Sequence, residues 1–217
     1  MSIAGVVLAA GASTRLQMPK QLITDAHGET LVHRAARQLV EAGCVPVFVV
    51  VGASHTDIAN AVSDLSATIV MNSEWEEGIA SSIRHAVHAA RAHQLETGIL
   101  ADSGTSIREQ QHVTAIDALL LSTCDMPTVG VGHLRALCAA YDAGAIRVAS
   151  RYKTPEGTET VGIPAIVGAA EWHFLESLHG DRGAKQLFTA DATATVNLPG
   201  GSFDIDQPRD LQTWKNA

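Results

Sequence analysis

The sequence predicts a three-layer α/β/α fold around a mostly parallel central sheet. Short apolar segments alternate with windows of helical periodicity along all 217 residues, and no internal repeat interrupts this order. The apolar segments are hydrophobic on both faces, which is typical of strands covered by helices on each side. Right-handed crossovers between such strands place the sheet between two helical layers. We therefore expect one domain over residues 1–217.

Six apolar segments are predicted as strands. The first and the fourth are long, continuous apolar runs, and the last two are weaker. The predicted strands cover residues 3–10, 45–51, 67–72, 116–125, 146–152 and 195–198.

Seven windows with apolar residues at helical spacing are predicted as helices. They cover residues 29–41, 55–65, 78–92, 132–143, 169–178, 184–190 and 209–214. Before the second window, Ser54 stands three residues ahead of Asp57, which is the spacing of a capping box. Two segments break the alternation. Residues 95–114 are polar and predict an exposed insertion, and residues 152–162 predict a turn-rich excursion at the rim of the sheet.

Composition excludes several classes of protein. Hydrophobic residues make up 46% and charged residues 18%, the balance of a globular chain. The formal charge of −8 and the lack of a basic run argue against a nucleic-acid partner. No apolar stretch reaches the length of about 18 residues that a membrane span needs. The first residues lack the basic segment of a secretory signal, and three cysteines without a CxxC spacing suit a reducing cytoplasm.

The loop after the first predicted strand is a candidate phosphate-binding site. It begins with the small residues Ala9, Ala10, Gly11, Ala12 and Ser13. Small residues let the backbone and its N–H groups approach a ligand closely, and Arg15 and Lys20 add two cations. The loop is neither a P-loop nor a GxGxxG turn, and the alternative is an ordinary strand-to-helix connection.

Two further candidate regions follow predicted strands. Asn72 ends the third strand, and Gly78 and Ser82 begin a helix whose first turn could hydrogen-bond a base or a ribose. A well-capped helix explains the same residues without a ligand. Asp125 lies at the tip of the fourth strand, where a carboxylate beside a phosphate loop can hold Mg²⁺. A turn or helix-capping aspartate is the alternative there.

The loop of residues 8–22 has the pattern LAAGxSxRxxxPKxL and resembles the signature loop of MobA-like nucleotidyltransferases, especially the molybdenum cofactor cytidylyltransferases. The resemblance implies a Rossmann-like, GT-A-like fold in which this loop wraps a nucleoside triphosphate. Ala10, Gly11, Arg15 and Lys20 match the family positions. Leu16 and Gln17 stand where the family has Met and Gly.

Further motifs extend the resemblance over most of the chain. The base-contacting family motif N…W…G…SS matches Asn72, Gly78 and Ser82, and CDxP matches Asp125. The closing motif DIDTPxDL implies Asp206 as a second Mg²⁺ ligand, with Asp204 as the alternative and Gln207 in place of Thr. Elements that surround the acceptor in the family match Gly162, Pro164, Gly180 and Asp181.

The resemblance implies a cytoplasmic, Mg²⁺-dependent enzyme that transfers CMP from CTP to a phosphorylated acceptor, namely molybdopterin, and releases pyrophosphate. A molybdoenzyme is a further expected partner. Alternatives are GTP as donor, a sugar or isoprenoid phosphate as acceptor, a reductase using NAD(P) or flavin, and a non-catalytic maturation factor that binds pterin or nucleotide.

Three other patterns are interpreted as structural. Gly130 and Gly132 form a GxG without the third glycine of a dinucleotide site. His85 and His88 lie three residues apart on a predicted helix but lack a third metal ligand at a standard spacing. Cys124 lies in a strand without a nearby base, which predicts a buried thiol.

Overall fold

A seven-stranded sheet forms the centre of the protein. The computed structural model describes residues 1–102, 115–189 and 192–215. The strands are β1 (Ile3–Leu8), β2 (Val47–Val51), β3 (Thr68–Met71), β4 (Ala118–Thr123), β5 (Arg147–Lys153), β6 (Glu159–Gly168) and β7 (Thr193–Asn197). Their order across the sheet is β3-β2-β1-β4-β6-β5-β7.

The sheet is mostly parallel, as predicted, and one strand runs against the others. β6 pairs antiparallel with both β4 and β5, whereas the four other strand pairings are parallel. No strand was predicted over residues 159–168, so that expectation was wrong there. Gly162 and Pro164 interrupt the apolar run and hide it. The β5–β6 pairing shifts register between Ala149 and Ser150, which accommodates the interruption.

Seven helices in the described part of the chain cover the sheet. They are α1 (Leu31–Ala42), α2 (His55–Ala61), α3 (Ile79–Asp102), α4 (Val131–Asp142), α5 (Trp172–Glu176), α6 (Lys185–Phe188) and α7 (Pro208–Lys215). Short 3₁₀ helices lie at Lys20–Leu22, Trp75–Glu77 and Ala169–Glu171. The Thr30 side chain accepts a hydrogen bond from the N–H of His33 and caps α1. The predicted capping box of α2 does not form, because Ser54 adopts a left-handed conformation and makes no side-chain cap.

Two apolar layers, one on each face of the sheet, hold the helices in place. Every residue of β1 and β2 is buried, as expected for central strands between helical layers. One layer includes Val7, Val49 and Leu120, and the other includes Val6, Phe48 and Leu121. Alternate residues of the same strands therefore face opposite helical layers.

Two predicted irregular segments are partly regular. α3 continues to Asp102, so the first part of the expected insertion at residues 95–114 is helical, and residues 103–114 lie outside the described residues. The excursion at residues 152–162 is the end of a hairpin whose turn joins β5 to β6. No helix in the described part of the chain has the length and apolarity to cross a membrane.

Candidate active site

A cleft of about 380 Å³ opens where β1 and β4 end side by side. Ligands of open α/β sheets bind at this edge, outside the carboxyl ends of the strands. The cleft brings together eight of the predicted site residues. These are Ala10, Gly11, Ala12, Lys20, Gly78, Ser82, Asp125 and Asp181.

A buried glutamine, Gln21, holds the loop after β1 through hydrogen bonds. The Gln21 carboxamide nitrogen donates to the carbonyl of Ala9 at 2.9 Å and to the carbonyl of Gly11 at 2.7 Å. Ser13 donates to the Gln21 carboxamide oxygen at 3.3 Å and accepts from the N–H of Lys20 at 3.1 Å. The start and the end of the loop are thereby tied together. No motif or spacing in the sequence pointed to Gln21.

The ammonium group of Lys20 lies between two carboxylates. Its Nζ atom is 2.5 Å from Oδ2 of Asp125 and 2.7 Å from Oδ1 of Asp206. Asp125 follows β4 and Asp206 precedes α7, so the two carboxylates come from distant parts of the chain. Arg15 reaches the same cluster more loosely, with Nη1 3.9 Å from Oδ2 of Asp206 and a side chain that is 73% exposed.

The charges of this cluster shift the pKa values within it. Burial alone lowers the pKa of Lys20, but the charge of Asp125 and the hydrogen bonds to Asp125 and Asp206 outweigh it and raise that pKa above its ordinary value. Loss of solvent around the carboxyl and the negative charges of Asp125 and Asp206 raise the pKa of Asp204 to about 6, although its side chain keeps an exposed surface. An excess of carboxylates around one lysine makes the site attractive to a further cation.

The same carboxylates fit a divalent metal ion. Asp125 and Asp206 both reach one point, now held by the Lys20 ammonium, and carboxylate oxygens are the ligands that Mg²⁺ prefers. No cluster of three or more His, Cys, Asp or Glu side chains among the described residues is arranged to hold a metal. The two aspartates would therefore need phosphate oxygens of a substrate to complete the coordination, which is usual for Mg²⁺ sites.

Asn72 supports the start of α3 from a fully buried position. Its amide nitrogen donates to the hydroxyl groups of Ser81 and Ser82 at 2.9 and 3.0 Å, and its oxygen accepts from the N–H of Glu74. Ser82 itself lines the cleft. Asn72 thus lies behind the cleft wall and positions Ser82.

Gly78 brings the predicted base-binding and acceptor regions into contact. It has φ 118° and ψ −171°, a conformation that is essentially restricted to glycine. A Cβ atom at this position would lie 2.3 Å from Oδ1 of Asp181 and 2.7 Å from the carbonyl oxygen of Gly180. The N–H of Ala80 donates to that same carbonyl at 3.1 Å. The loop with Gly180 and Asp181 therefore packs directly on the start of α3.

An ion pair fixes this loop from the other side. A Glu77 carboxylate oxygen accepts from the N–H of Gly180 at 3.0 Å and from Arg84, which also donates to the carbonyl of Leu178 at 2.7 Å. The hydrogen bonds from Arg84, and secondly the one from Gly180, lower the pKa of Glu77 to about 2. Glu77 stays ionised at neutral pH and holds the loop.

The remaining predicted residues lie outside the cleft lining. Ala9 is buried at the end of β1, and Gly162 and Pro164 lie within β6. A Cβ atom on Gly162 would meet the hydroxyl oxygen of Tyr152 at 2.7 Å, and the Pro164 carbonyl accepts from Ser150. These last contacts are internal to the β5–β6 hairpin. Trp75, the W of the motif N…W…G…SS, also lines the cleft, although no role was assigned to it from the sequence. Glu76 and Thr123 line the cleft as well, and no motif or spacing pointed to them.

Cys124, the histidine pair and the GxG pattern, which were interpreted as structural, lie in positions that fit this interpretation. Cys124 is buried, and this burial, together with the charge of Asp125, raises the pKa of its thiol to about 12. His85 pairs with the carbonyl of Ser81 in its own helix, and His88 is exposed. Gly130 and Gly132 lie at the start of α4.

The fold and the site define an α/β protein with a cleft at the carboxyl edge of its sheet, lined by Lys20 and Asp125. The chain belongs to the family of the MobA-like NTP transferase domain, whose model matches residues 5–195. It is therefore a nucleotidyltransferase, an enzyme that joins a nucleoside monophosphate to an acceptor, and the Rossmann-like fold expected from the sequence is confirmed.

Two solved structures are similar to this chain over its whole length, and one protein is similar to it in sequence over part of its length. The structure of Rv0371c from Mycobacterium tuberculosis H37Rv covers 100% of this chain and 99% of its own, with 23% identity and a TM-score of 0.75. A second structure of Rv0371c is a complex with manganese, at 22% identity and a TM-score of 0.69, covering 100% of both chains. Nicotine blue oxidoreductase of Paenarthrobacter nicotinovorans is 35% identical over 80 residues, which are 37% of this chain and 39% of that protein.

Proposed function

We propose that the protein transfers CMP from CTP to a phosphorylated acceptor, molybdopterin, in a Mg²⁺-dependent reaction that releases pyrophosphate. The observation that carries this proposal is the meeting of Lys20, Asp125 and Asp206 beside the small-residue loop. One ammonium and two carboxylates at a phosphate-sized cleft suit a reaction whose charges lie on phosphate oxygens.

The loop of residues 9–14 would hold the triphosphate. Ala10, Gly11 and Ala12 line the cleft without bulky side chains, so a phosphate can approach their backbone closely. Lys20 lies at the cleft floor, and the exposed Arg15 can swing toward it. In this arrangement Lys20 neutralises charge at the α-phosphate and Arg15 neutralises charge on the departing pyrophosphate.

The chemical step needs no strong base. A terminal phosphate oxygen of the acceptor attacks the α-phosphorus of CTP, and the bond from that phosphorus to the bridging oxygen of pyrophosphate breaks. Because a phosphate monoester is already anionic near neutral pH, no proton has to be removed first. Asp125 and Asp206 would hold Mg²⁺, which supplies positive charge to the phosphate oxygens when it is bound. The chain's own contribution is to align donor and acceptor and to neutralise charge.

The choice of CTP and molybdopterin rests on the resemblance of the loop. The sequence Leu-Ala-Ala-Gly at residues 8–11 is similar to the cytidine-using members of the family, whereas guanine-using relatives have Leu-Ala-Gly-Gly. Transfer to the cofactor of a molybdoenzyme in the cytoplasm is the corresponding cellular role.

Pyrophosphate release tests the proposal. The protein is incubated with molybdopterin, Mg²⁺ and CTP, GTP, UTP or ATP in turn, and the product is identified by mass spectrometry. We expect turnover with CTP, a loss on the order of 100–1,000-fold in Lys20→Met and in Asp125→Asn, and no change in Lys153→Met, which removes an exposed lysine elsewhere. Turnover within tenfold of the parent in both site variants would contradict the mechanism.

Preference for GTP over CTP would keep the proposed chemistry and change the nucleotide donor. Binding of CTP without pyrophosphate release would favour a non-catalytic nucleotide carrier.

A reductase is the second candidate, because the 80-residue match is to an oxidoreductase. It predicts that NADPH, and not a nucleoside triphosphate, raises the melting temperature of the protein. Oxidation of NADPH, followed at its near-ultraviolet absorbance in the presence of an electron acceptor, would support this candidate over the transferase.

A further inference from the structure

Gln21 is a polar side chain in an apolar place. It is 1% exposed, and its carboxamide makes three hydrogen bonds, all of them to the loop of residues 9–13. A buried amide group destabilises the folded state unless it has hydrogen-bond partners. Because all three hydrogen bonds of Gln21 go to one loop, they restrict the shape of that loop.

The bonds of Gln21 fix the direction of backbone N–H groups as well as of carbonyls. A trans peptide unit is planar, so the N–H of the next residue points opposite to the carbonyl. Holding the carbonyls of Ala9 and Gly11 toward the Gln21 amide therefore turns the N–H groups of Ala10 and Ala12 away from it. Between them, the Ala10 carbonyl accepts from the N–H of Ala53, so three successive peptide units are fixed.

These N–H groups are available to a ligand. Within the described residues, no hydrogen bond has the N–H of Ala10, Gly11 or Ala12 as its donor, and all three residues line the cleft. Successive unpaired backbone N–H groups in a loop that lines a cleft can form an anion-binding concavity.

The same contacts connect this concavity to the cation at its edge. Ser13 joins the Gln21 carboxamide to the N–H of Lys20, and Ser13 itself adopts a positive φ of 53°. A substitution that removes the hydrogen bonds of Gln21 would free the left-handed turn at Ser13. It would also free the backbone position from which Lys20 reaches Asp125.

We propose that Gln21 is a positioning residue for the nucleotide: by holding the carbonyls of Ala9 and Gly11, it shapes the loop so that the N–H groups of residues 10–12 receive the triphosphate. The inference rests on the proposed function and adds to it a residue that acts by holding the loop.

The test compares two buried glutamines. Gln21→Met keeps the length and volume of the side chain but cannot donate, and Gln38→Met makes the same change at a buried position of α1 that does not contact the loop. CTP binding with Mg²⁺ is measured by calorimetry in the folded proteins, well below their melting temperatures, together with KM and kcat for pyrophosphate release. We expect the Kd and the KM for CTP to rise on the order of tenfold or more in Gln21→Met, with a smaller fall in kcat, and to stay within about twofold in Gln38→Met.

The outcomes separate this inference from the function on which it rests. A purely structural glutamine would lower the melting temperature of Gln21→Met and leave its Kd for CTP unchanged, which overturns the inference alone. Equal losses of affinity in both variants would also overturn it. Failure of the parent to bind any nucleoside triphosphate would overturn the proposed function and the inference together.

Discussion

Lys20 and Asp125 form the closest ion pair of the cleft, with 2.5 Å between Nζ and Oδ2, although 105 positions separate them in sequence. The loop after β1 carries the lysine and the tip of β4 carries the aspartate, and these two strands are neighbours in the sheet. Their parallel pairing is the reason that the two side chains meet. The ammonium thus stands at the point where Asp125 and Asp206 would share a metal ion.

The first prediction concerns competition between Lys20 and a metal. Because the ammonium holds the oxygens of both aspartates, Lys20→Met should bind Mn²⁺ in the absence of nucleotide more tightly than the parent, by several-fold to about tenfold. Titration followed by electron paramagnetic resonance of free Mn²⁺ measures this affinity. Lys153→Met, which removes one positive charge from an exposed position, is the control and should leave the Mn²⁺ affinity unchanged. Equal or weaker Mn²⁺ binding in Lys20→Met would mean that the metal does not use these oxygens.

The second prediction concerns the contact between Gly78 and Asp181. Gly78→Ala places a methyl group against the Asp181 carboxylate, at a residue whose backbone conformation only glycine adopts easily. The substitution should therefore lower the free energy of unfolding by about 1–3 kcal/mol. It should also weaken acceptor binding, because the loop must move. Denaturant unfolding measures the first effect. Gly132→Ala in α4, where a Cβ atom meets nothing within 4 Å, is the control and should be neutral or stabilising. A Gly78→Ala protein as stable as the parent would show that this loop is not held there.

The third prediction concerns Gln17, which stands where the family has glycine. Its φ of 55° lies in the left-handed region, where a residue with a Cβ atom is strained. Gln17→Gly should therefore stabilise the protein by about 0.5–1 kcal/mol, after the larger entropy of glycine in the unfolded state is deducted. Thermal and denaturant unfolding measure the change. A loss of stability would indicate that the Gln17 side chain makes a favourable contribution that exceeds the strain.

The fourth prediction is a pH dependence at α1. His33 contacts Glu29 at 2.7 Å and Asp64 at 3.1 Å, and Glu29 also binds Arg37. Burial lowers the pKa of His33, but the hydrogen bonds to Glu29 and Asp64 outweigh it and raise that pKa above 6.5. A raised histidine pKa contributes stability that is fully present below about pH 6.5 and is lost as the pH rises through the folded-state value.

His33→Gln should accordingly lower the free energy of unfolding more at about pH 5.5 than at about pH 9. Denaturant unfolding at both values gives the difference, and His88→Gln, which replaces an exposed histidine of α3, is the matched control. A stability loss in His33→Gln that is independent of pH would mean that the protonated form gains nothing from Glu29 and Asp64.

Periodicity predicted the elements whose environment is uniform. β1, β2 and β4 are buried on both faces, so their sequences are continuous apolar runs that cannot be mistaken for turns. β6 was missed because Gly162 and Pro164 lie inside it, and only the shifted pairing with β5 makes room for them. Local sequence does not contain that information, since the partner strand supplies it.

The site divides along a similar line. Lys20 and Asp125 could be predicted one by one, because each follows a clear strand and carries a charge suited to phosphate or metal. Gln21 could not, since its function depends on carbonyl groups of Ala9 and Gly11 that the sequence does not locate in space. The failed capping box at Ser54 has the same origin, because the left-handed conformation of that residue removes its side chain from the helix end.

The most direct test of the account is a calorimetric titration of CTP into the parent, Asp125→Asn and Asp206→Asn, each with and without Mg²⁺. We expect Mg²⁺ to strengthen CTP binding to the parent on the order of tenfold or more, and both substitutions to abolish this gain. Binding of CTP that is equally tight without Mg²⁺, or a gain from Mg²⁺ that survives in both variants, would contradict the assignment of these two carboxylates.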